Sequence, residues 1–321
     1  MRIRVTGFVL AVLIAVSLTL SAFASTETEN TPVEPPQVSA IPQNAVVPAA
    51  VMAESPFTLD GMTMYGLDYE VYKDTNYITV ESFVAAVDRN AVVEEENGTV
   101  IVTSDAAASV VTVIGYGWVI SGTANAEKET LSLTAKKGNY YAEANGRVLY
   151  VENGVITVNG KVALPVRVLA KIFNMDVAYD SVSMKVALTR REEGGSYLED
   201  ADTYYNQDTL YWLSHIIHAE SGNQPLRGKI AVGNVVMNRL ASPNFPNTIY
   251  DVLFQKNQFS PAMSGSIYRD PNAASVRAAK MVMDGAEALE DVLFFNRKGM
   301  NTRAARNRTF VATIGGHSFY A

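Results

Sequence analysis

The sequence predicts an α+β protein in two folded parts, and three observations carry that prediction. From about Phe57 to Arg190, short alternating runs are broken by Asn97-Gly98, Asn145-Gly146, Asn153-Gly154 and Asn159-Gly160. Asn-Gly pairs between such runs signal hairpins, because both turn residues take positive φ. From Asp208 to about Asp284, apolar residues recur at the three-and-four spacing of helices. The last 30 residues return to strand-like runs on either side of Gly315-Gly316. A mostly β segment should therefore precede a small, mainly helical unit closed by a strand cluster.

The chain has 321 residues, enough for two domains plus address and linker segments, and its 48% hydrophobic and 18% charged residues belong to a folded protein. It has no cysteine, which excludes thiol catalysis, lipoprotein acylation, iron–sulfur clusters and cysteine-rich zinc sites. The net charge of -7 is unevenly spread: residues 207–321 hold 12 Lys and Arg against 8 Asp and Glu, and the remainder 14 against 25. A basic C-terminal unit on an acidic carrier points to an anionic partner such as a wall polymer, or to a solvated face without one.

Taken in order, Arg2 and Arg4 precede an apolar run from Gly7 to about Leu20 and a small-residue end, Ser21-Ala22-Phe23-Ala24. This is the pattern of a secretory signal peptide, residues 1–24, so an exported protein with no later membrane span is expected. Residues 25–55, with Pro32, Pro35, Pro36, Pro42 and Pro48 and no period, read as an extended spacer. Within residues 56–190, Tyr77 to Val87 matches Ala163 to Phe173 in its apolar places. Setting Val80 on Val166 gives an offset of 86 that also sets Val100 on Val186 and Val102 on Leu188. Each copy reads as a strand, a short helix and a hairpin, the two sharing one core. This arrangement resembles the copper amine oxidase N-terminal-like domain, a stalk module of secreted wall proteins. The stretch has no His and no Cys, so the resemblance carries no copper chemistry. Tyr116, Trp118, Tyr140 and Tyr141 are read as core or cross-strand residues rather than sugar platforms. Residues 191–206 read as a charged, Gly-containing hinge.

In residues 207–321, Leu210, Leu213, Ile217 and Glu220 share one helical face, which sets a carboxylate in line with an apolar stripe. Asp208 is the expected N-cap, and Ser221-Gly222-Asn223 ends the helix. Partial burial and the negative helix end both disfavour the carboxylate and raise its pKa, as a general acid requires. A Glu that merely covers the helix end has the same pattern. A second helix follows Pro225, a short one follows Thr248, and Asn272 caps a third up to about Asp284. Val292 to Phe295 and the pair Thr309 to Ile314 and His317 to Tyr320 read as strands. His215, His218 and His317 make a zinc hydrolase arithmetically conceivable, but H-E-x-x-H is absent, and so are G-x-S-x-G and G-x-G-x-x-G. Neither metal nor cofactor is expected. Aromatic residues are sparse among Arg297, Lys298, Arg303, Arg306 and Arg308, which argues against a nucleic-acid partner.

Six segments resemble the cell wall hydrolase family of the spore cortex-lytic enzyme type: Leu213 to Asn223, Gly228 to Arg239, Phe245 to Ile249, Gln258 to Pro261, Phe294 to Asn296 and Ile314 to Phe319. The resemblance implies a lysozyme-like or lytic-transglycosylase-like fold and a secreted enzyme of the cell envelope, acting on glycan strands of peptidoglycan between N-acetylmuramic acid and N-acetylglucosamine. It implies that Glu220 is the catalytic acid, and that Ser260, Tyr268, Asn296 and His317 line the glycan cleft; Ser221, beside Glu220, is read as a cap or a holder of the acid and is counted with the residues expected at the substrate. Where relatives often carry Trp, Gly299 to Asn307 is rich in Arg instead. A hydrolytic muramidase needs two carboxylates, whereas a lytic transglycosylase manages with one, since the muramic 6-hydroxyl attacks its own anomeric carbon. No second carboxylate pairs with Glu220 by spacing, although Asp270 remains a possible partner. Transglycosylation is the expectation, with a muramidase or a non-catalytic wall-binding protein as alternatives.

Overall fold

The computed structural model describes residues 55–106 and 129–321. The expected signal peptide, the Pro-rich spacer, Tyr116 and Trp118 lie outside the described residues.

The chain runs through β1 (Phe57–Leu59), β2 (Met62–Thr63), β3 (Tyr69–Tyr72), β4 (Thr75–Thr79), α1 (Val80–Val87), β5 (Val92–Glu96) and β6 (Thr99–Ala106). After the undescribed segment come β7 (Glu129–Lys136), β8 (Tyr141–Ala144), β9 (Arg147–Tyr150), β10 (Ile156–Val158), β11 (Lys161–Pro165), α2 (Val166–Ile172), β12 (Met175–Asp180) and β13 (Lys185–Arg190). The helical part holds α3 (Ala201–Tyr204), α4 (Gln207–Ser221), α5 (Leu226–Ala241), α6 (Ile249–Phe254), α7 (Ser260–Ser264) and α8 (Ala273–Met283). β14 (Phe294–Arg297), α9 (Arg303–Asn307), β15 (Phe310–Ile314) and β16 (His317–Tyr320) close it. The architecture is α+β.

The 86-residue offset has a direct structural counterpart. It sets β4 on β11 and the first residue of α1 on that of α2. β4 and β11 pair antiparallel with Ile78 opposite Leu164, which are equivalent positions, so a local twofold passes through that pair. Val80, Phe83 and Val84 of one copy share a core with Val166, Leu169 and Ala170 of the other. Three of the four Asn-Gly pairs, at 97–98, 145–146 and 159–160, have positive φ at both residues and join consecutive strands; at 153–154 only the glycine does. Tyr140 is exposed, while Tyr141 packs against the helical core beneath Arg277.

Residues 191–206 are not a free hinge. Tyr197 and Leu198 are buried in the β core, and the Tyr197 hydroxyl donates to Asp88 at 2.6 Å, with Ser104 at 2.9 Å. Burial, chiefly, pushes its pKa up to about 12. Ala201 and Tyr205 are buried too. The charged residues at the start of the segment concealed an apolar second half.

That second half leads to a buried polar junction between the β part and the helices. Asp284, just past α8, has a side chain only 1% exposed. It accepts from Nε of Arg147 at 3.0 Å, from another guanidinium nitrogen of Arg147 and from the Tyr205 hydroxyl, and Nζ of Lys171 lies 3.2 Å away. Arg147 stacks on Tyr204 at 3.3 Å. Arg147 follows the Asn145-Gly146 turn, so hairpin chemistry at that turn delivers the cation to its partner.

Candidate active site

α4 is capped by Asn206, whose side chain accepts from the Thr209 amide, not by Asp208, which sits in the first turn. Its last turn carries His218, Ala219 and Glu220, and the helix closes at Gly222 in right-handed rather than left-handed geometry. Glycine is required there by space: a Cβ would lie 2.6 Å from the His218 carbonyl oxygen and 3.0 Å from the His218 ring. Leu213, Ile216 and Ile217 bury the apolar face of α4 against α5 and α8. The close approach occurs at Gly233, where a Cβ would meet Val282 at 2.8 Å and Ile217 at 3.0 Å. A side chain there would push α4 away from α5 and move Glu220 with it.

Glu220 is half-buried and opens on a groove of about 1000 Å³. Burial pushes its pKa up to about 7. Among the described residues its carboxyl has no hydrogen-bond or ion-pair partner, and it is the only carboxylate lining the groove. Asp270 is not part of that lining. A carboxyl with this environment is half protonated at neutrality and free to give its proton to a bound group.

α5 contributes Arg239 to the groove and holds the segment that leads to β14. Asn234 donates to the Ala286 carbonyl at 2.7 Å and accepts from the Ala288 amide at 2.9 Å. Asn238 donates to the Val292 carbonyl at 3.0 Å, and Arg239 to that of Leu293 at 2.8 Å. These bonds fix residues 286–293 and hence β14, which begins two residues later than the apolar run Val292 to Phe295 suggests. β14 pairs with β16, setting Arg297 opposite His317 and Asn296 opposite Ser318. A further clamp ties this sheet to the connection between α4 and α5: the Gly316 amide donates to Gln224 at 2.8 Å, and a Cβ at Gly315 would lie 2.4 Å from the same Gln224 oxygen. Neither Gln224 nor Arg239 was marked by periodicity as a site residue. Only their fixed place between the helices and the sheet singles them out.

The expected substrate contacts divide. Ser260, Asn296 and His317 line the groove with Glu220. Asn296 donates to Thr302, while its Oδ1 is buried without a partner, as is Nδ1 of His317. Burial pulls the His317 pKa down, favouring the neutral ring. Ser221 does not face the groove: it is fully buried, and its hydroxyl donates to the Ile217 carbonyl at 2.7 Å. Its position in the last helical turn makes that back-bond available. Tyr268 is also elsewhere, exposed beside Trp212 and Phe254 in an aromatic cluster with Tyr211 and Tyr250. His215 donates through Nδ1 to the Tyr211 carbonyl at 2.7 Å, and Nδ1 of His218 accepts from the Asn272 amide at 3.4 Å. The three histidines thus serve different elements. Where Trp was missed from Gly299 to Asn307, Phe245, Phe259, Phe294 and Phe295 line the groove from neighbouring segments, and Arg303–Asn307 forms the short α9.

Two parts of the chain resemble known proteins. Residues 223–320 match the family model described as cell wall hydrolase, and residues 68–188 that of the copper amine oxidase N-terminal domain. The spore cortex-lytic enzyme of Bacillus cereus is 29% identical over 116 residues, covering 36% of this chain and 45% of that protein. That of Bacillus subtilis is 28% identical over 116 residues, covering 36% and 38%. The chain thus matches less than half the length of these curated relatives. Two solved structures are also similar. The catalytic domain of the germination-specific lytic transglycosylase SleB from Bacillus anthracis is 27% identical over 36% of this chain and 97% of that one, with a TM-score of 0.35. That of the Bacillus cereus SleB protein is 28% identical over 36% and 92%, also at 0.35. The hydrolase family match begins three residues after Glu220, so the role of Glu220 rests on the groove. The β part lacks His and Cys throughout, and its donor set does not fit copper. The chain is therefore similar to the copper amine oxidase N-terminal domain over residues 68–188 and to the cell wall hydrolase family over residues 223–320.

Proposed function

We propose that this protein is an exported enzyme of the cell envelope that cleaves peptidoglycan glycan strands between N-acetylmuramic acid and N-acetylglucosamine, with Glu220 as its single catalytic acid. One observation carries the reading: a lone carboxyl, raised to about 7 by burial, opens on a groove with no second carboxylate in its lining. The family match and the relatives named as spore cortex-lytic enzymes supply the substrate class.

The chemistry follows from that solitude. Protonated Glu220 gives its proton to the glycosidic oxygen as the bond to the anomeric carbon breaks. The resulting carboxylate then takes the proton of the muramic 6-hydroxyl as that oxygen closes on the anomeric carbon, leaving a 1,6-anhydro end. A hydrolytic route needs a second carboxylate to activate water. Ser260, Asn296 and His317 hold the sugars through the groups that the protein leaves unpartnered.

The test is to digest purified peptidoglycan with the protein and with Glu220→Gln and to weigh the fragments. Anhydro-ended fragments that vanish with the substitution are expected. Reducing ends would make the enzyme a muramidase, and pelleting with the wall without fragments from either protein would make it a binding protein.

A further inference from the structure

The groove is unevenly charged. Lys256, Arg297, Arg303 and Arg308 line it together with the buried Arg239, and Glu220 is the only acid among the lining residues. Among the described residues none of these five cations makes an ion pair. Beyond Asp291 the chain has no Asp or Glu at all. Gathering like charges on one wall without acids costs free energy in the empty protein, and a bound anion recovers it.

Arg239 adds an independent observation. It is 4% exposed, its Nη1 has no hydrogen-bond partner, and the rings of Phe245, Phe259 and Phe294 surround its guanidinium at 5.0 to 5.3 Å. Burial pulls its pKa down to about 10, so it remains charged at neutrality. The rings offset only part of the lost hydration. The orphaned Oδ1 of Asn296 and Nδ1 of His317 lie in the same lining. Buried polar groups left unpaired along one groove mark where a ligand completes them. A neutral sugar chain offers hydroxyls and amides but no charge. On a peptidoglycan strand the carboxylates belong to the stem peptides carried by the muramic residues.

We infer that the cationic wall formed by Lys256, Arg239, Arg297, Arg303 and Arg308 recognises stem-peptide carboxylates, so the preferred substrate is the strand with free stem carboxylates rather than one in which they are neutralised. This deepens the glycan-cleaving reading and rests on it.

The test compares two substrates, both freed of teichoic acid: strands with intact stems, and strands whose stem carboxylates have been amidated. The full-length protein is expected to cleave intact strands about tenfold faster than amidated ones at low salt, with the ratio shrinking as salt screens the wall. The triple variant Arg297→Gln, Arg303→Gln, Arg308→Gln, all at exposed positions, should lose that ratio while its thermal midpoint stays near that of the parent. Binding of the same strands to Glu220→Gln reports the preference without turnover. Equal binding of intact and amidated strands would overturn the inference, as would a ratio that survives the triple substitution or one that follows teichoic phosphate in untreated walls. Loss of all cleavage with the binding preference intact would instead overturn the enzymatic reading and leave the charge recognition standing.

Discussion

Two carboxyl groups of one chain, one fully buried and one half-buried, receive opposite treatment. Asp284 is surrounded: Arg147 and Tyr205 donate to it, and Lys171 stands within ion-pair distance. Glu220 is left alone, with burial pushing its pKa up to about 7 and no partner among the described residues. Burial by itself therefore does not mark a catalytic group. A carboxyl whose oxygens are all satisfied fastens two parts of the chain together; one raised by burial and left without partners keeps its proton near neutrality and can pass it on. The cost of leaving Glu220 unpartnered falls on stability, and the proton it holds is what the proposed reaction uses.

The contrast can be broken at either group. The largest effect is expected from Glu220→Gln, which keeps the shape and removes the proton: a fall of about a thousandfold in glycan cleavage, measured by release of soluble fragments. Asp284→Ala should leave Arg147 buried without its partner and cost about 3 to 5 kcal/mol in denaturant unfolding, with loss of activity following only from unfolding. Glu220→Gln should have the opposite sign in stability. Because the folded state holds the proton up to about 7 against an ordinary 4.5, the native protein loses stability as pH rises through that interval, by about 3 kcal/mol in full. The variant lacks this loss, so its advantage in unfolding free energy should be absent at pH 4 and greatest at pH 8. A smaller change is expected of Gln224→Ala, which frees the Gly315-Gly316 turn from the connection that follows α4: about 1 kcal/mol in stability, and a fall in kcat larger than that loss explains, because His317 and Glu220 no longer share a fixed frame. Asn206→Ala should cost about 1 kcal/mol through the lost cap and leave cleavage by the folded protein unchanged.

Much of the fold was legible because local chemistry decides it. Asn-Gly turns fix their own backbone signs, so three hairpins could be read from dipeptides, and the twofold about Ile78 and Leu164 followed from matching apolar places 86 residues apart. The place of Glu220 on α4, in line with Leu213 and Ile217, was legible for a similar reason, whereas its chemistry was not, since a Glu that merely covers a helix end has the same spacing. Features that depend on distant partners were not legible. Residues 191–206 begin with charges and glycines, and only the β core they meet shows that Tyr197 and Leu198 are anchors. Ser221 and Tyr268 stand near the right segments in sequence, yet one turns into its own helix and the other joins an aromatic cluster. Arg239 and Gln224 act through contacts 54 and 92 residues away, which no local pattern encodes. The N-cap was misplaced by two residues because Asp208 and Asn206 are both good caps, and the tertiary context chose between them.

The central claim is that Glu220 acts as an acid because burial keeps it protonated near neutrality, and the pH dependence of kcat on a soluble glycan fragment tests it most directly. The rate is predicted to be high below pH 7 and to fall along a single limb with its midpoint at about 7, the value to which burial raises Glu220. A limb near the ordinary glutamate value of 4.5, or a rate independent of pH across the neutral range, would contradict it.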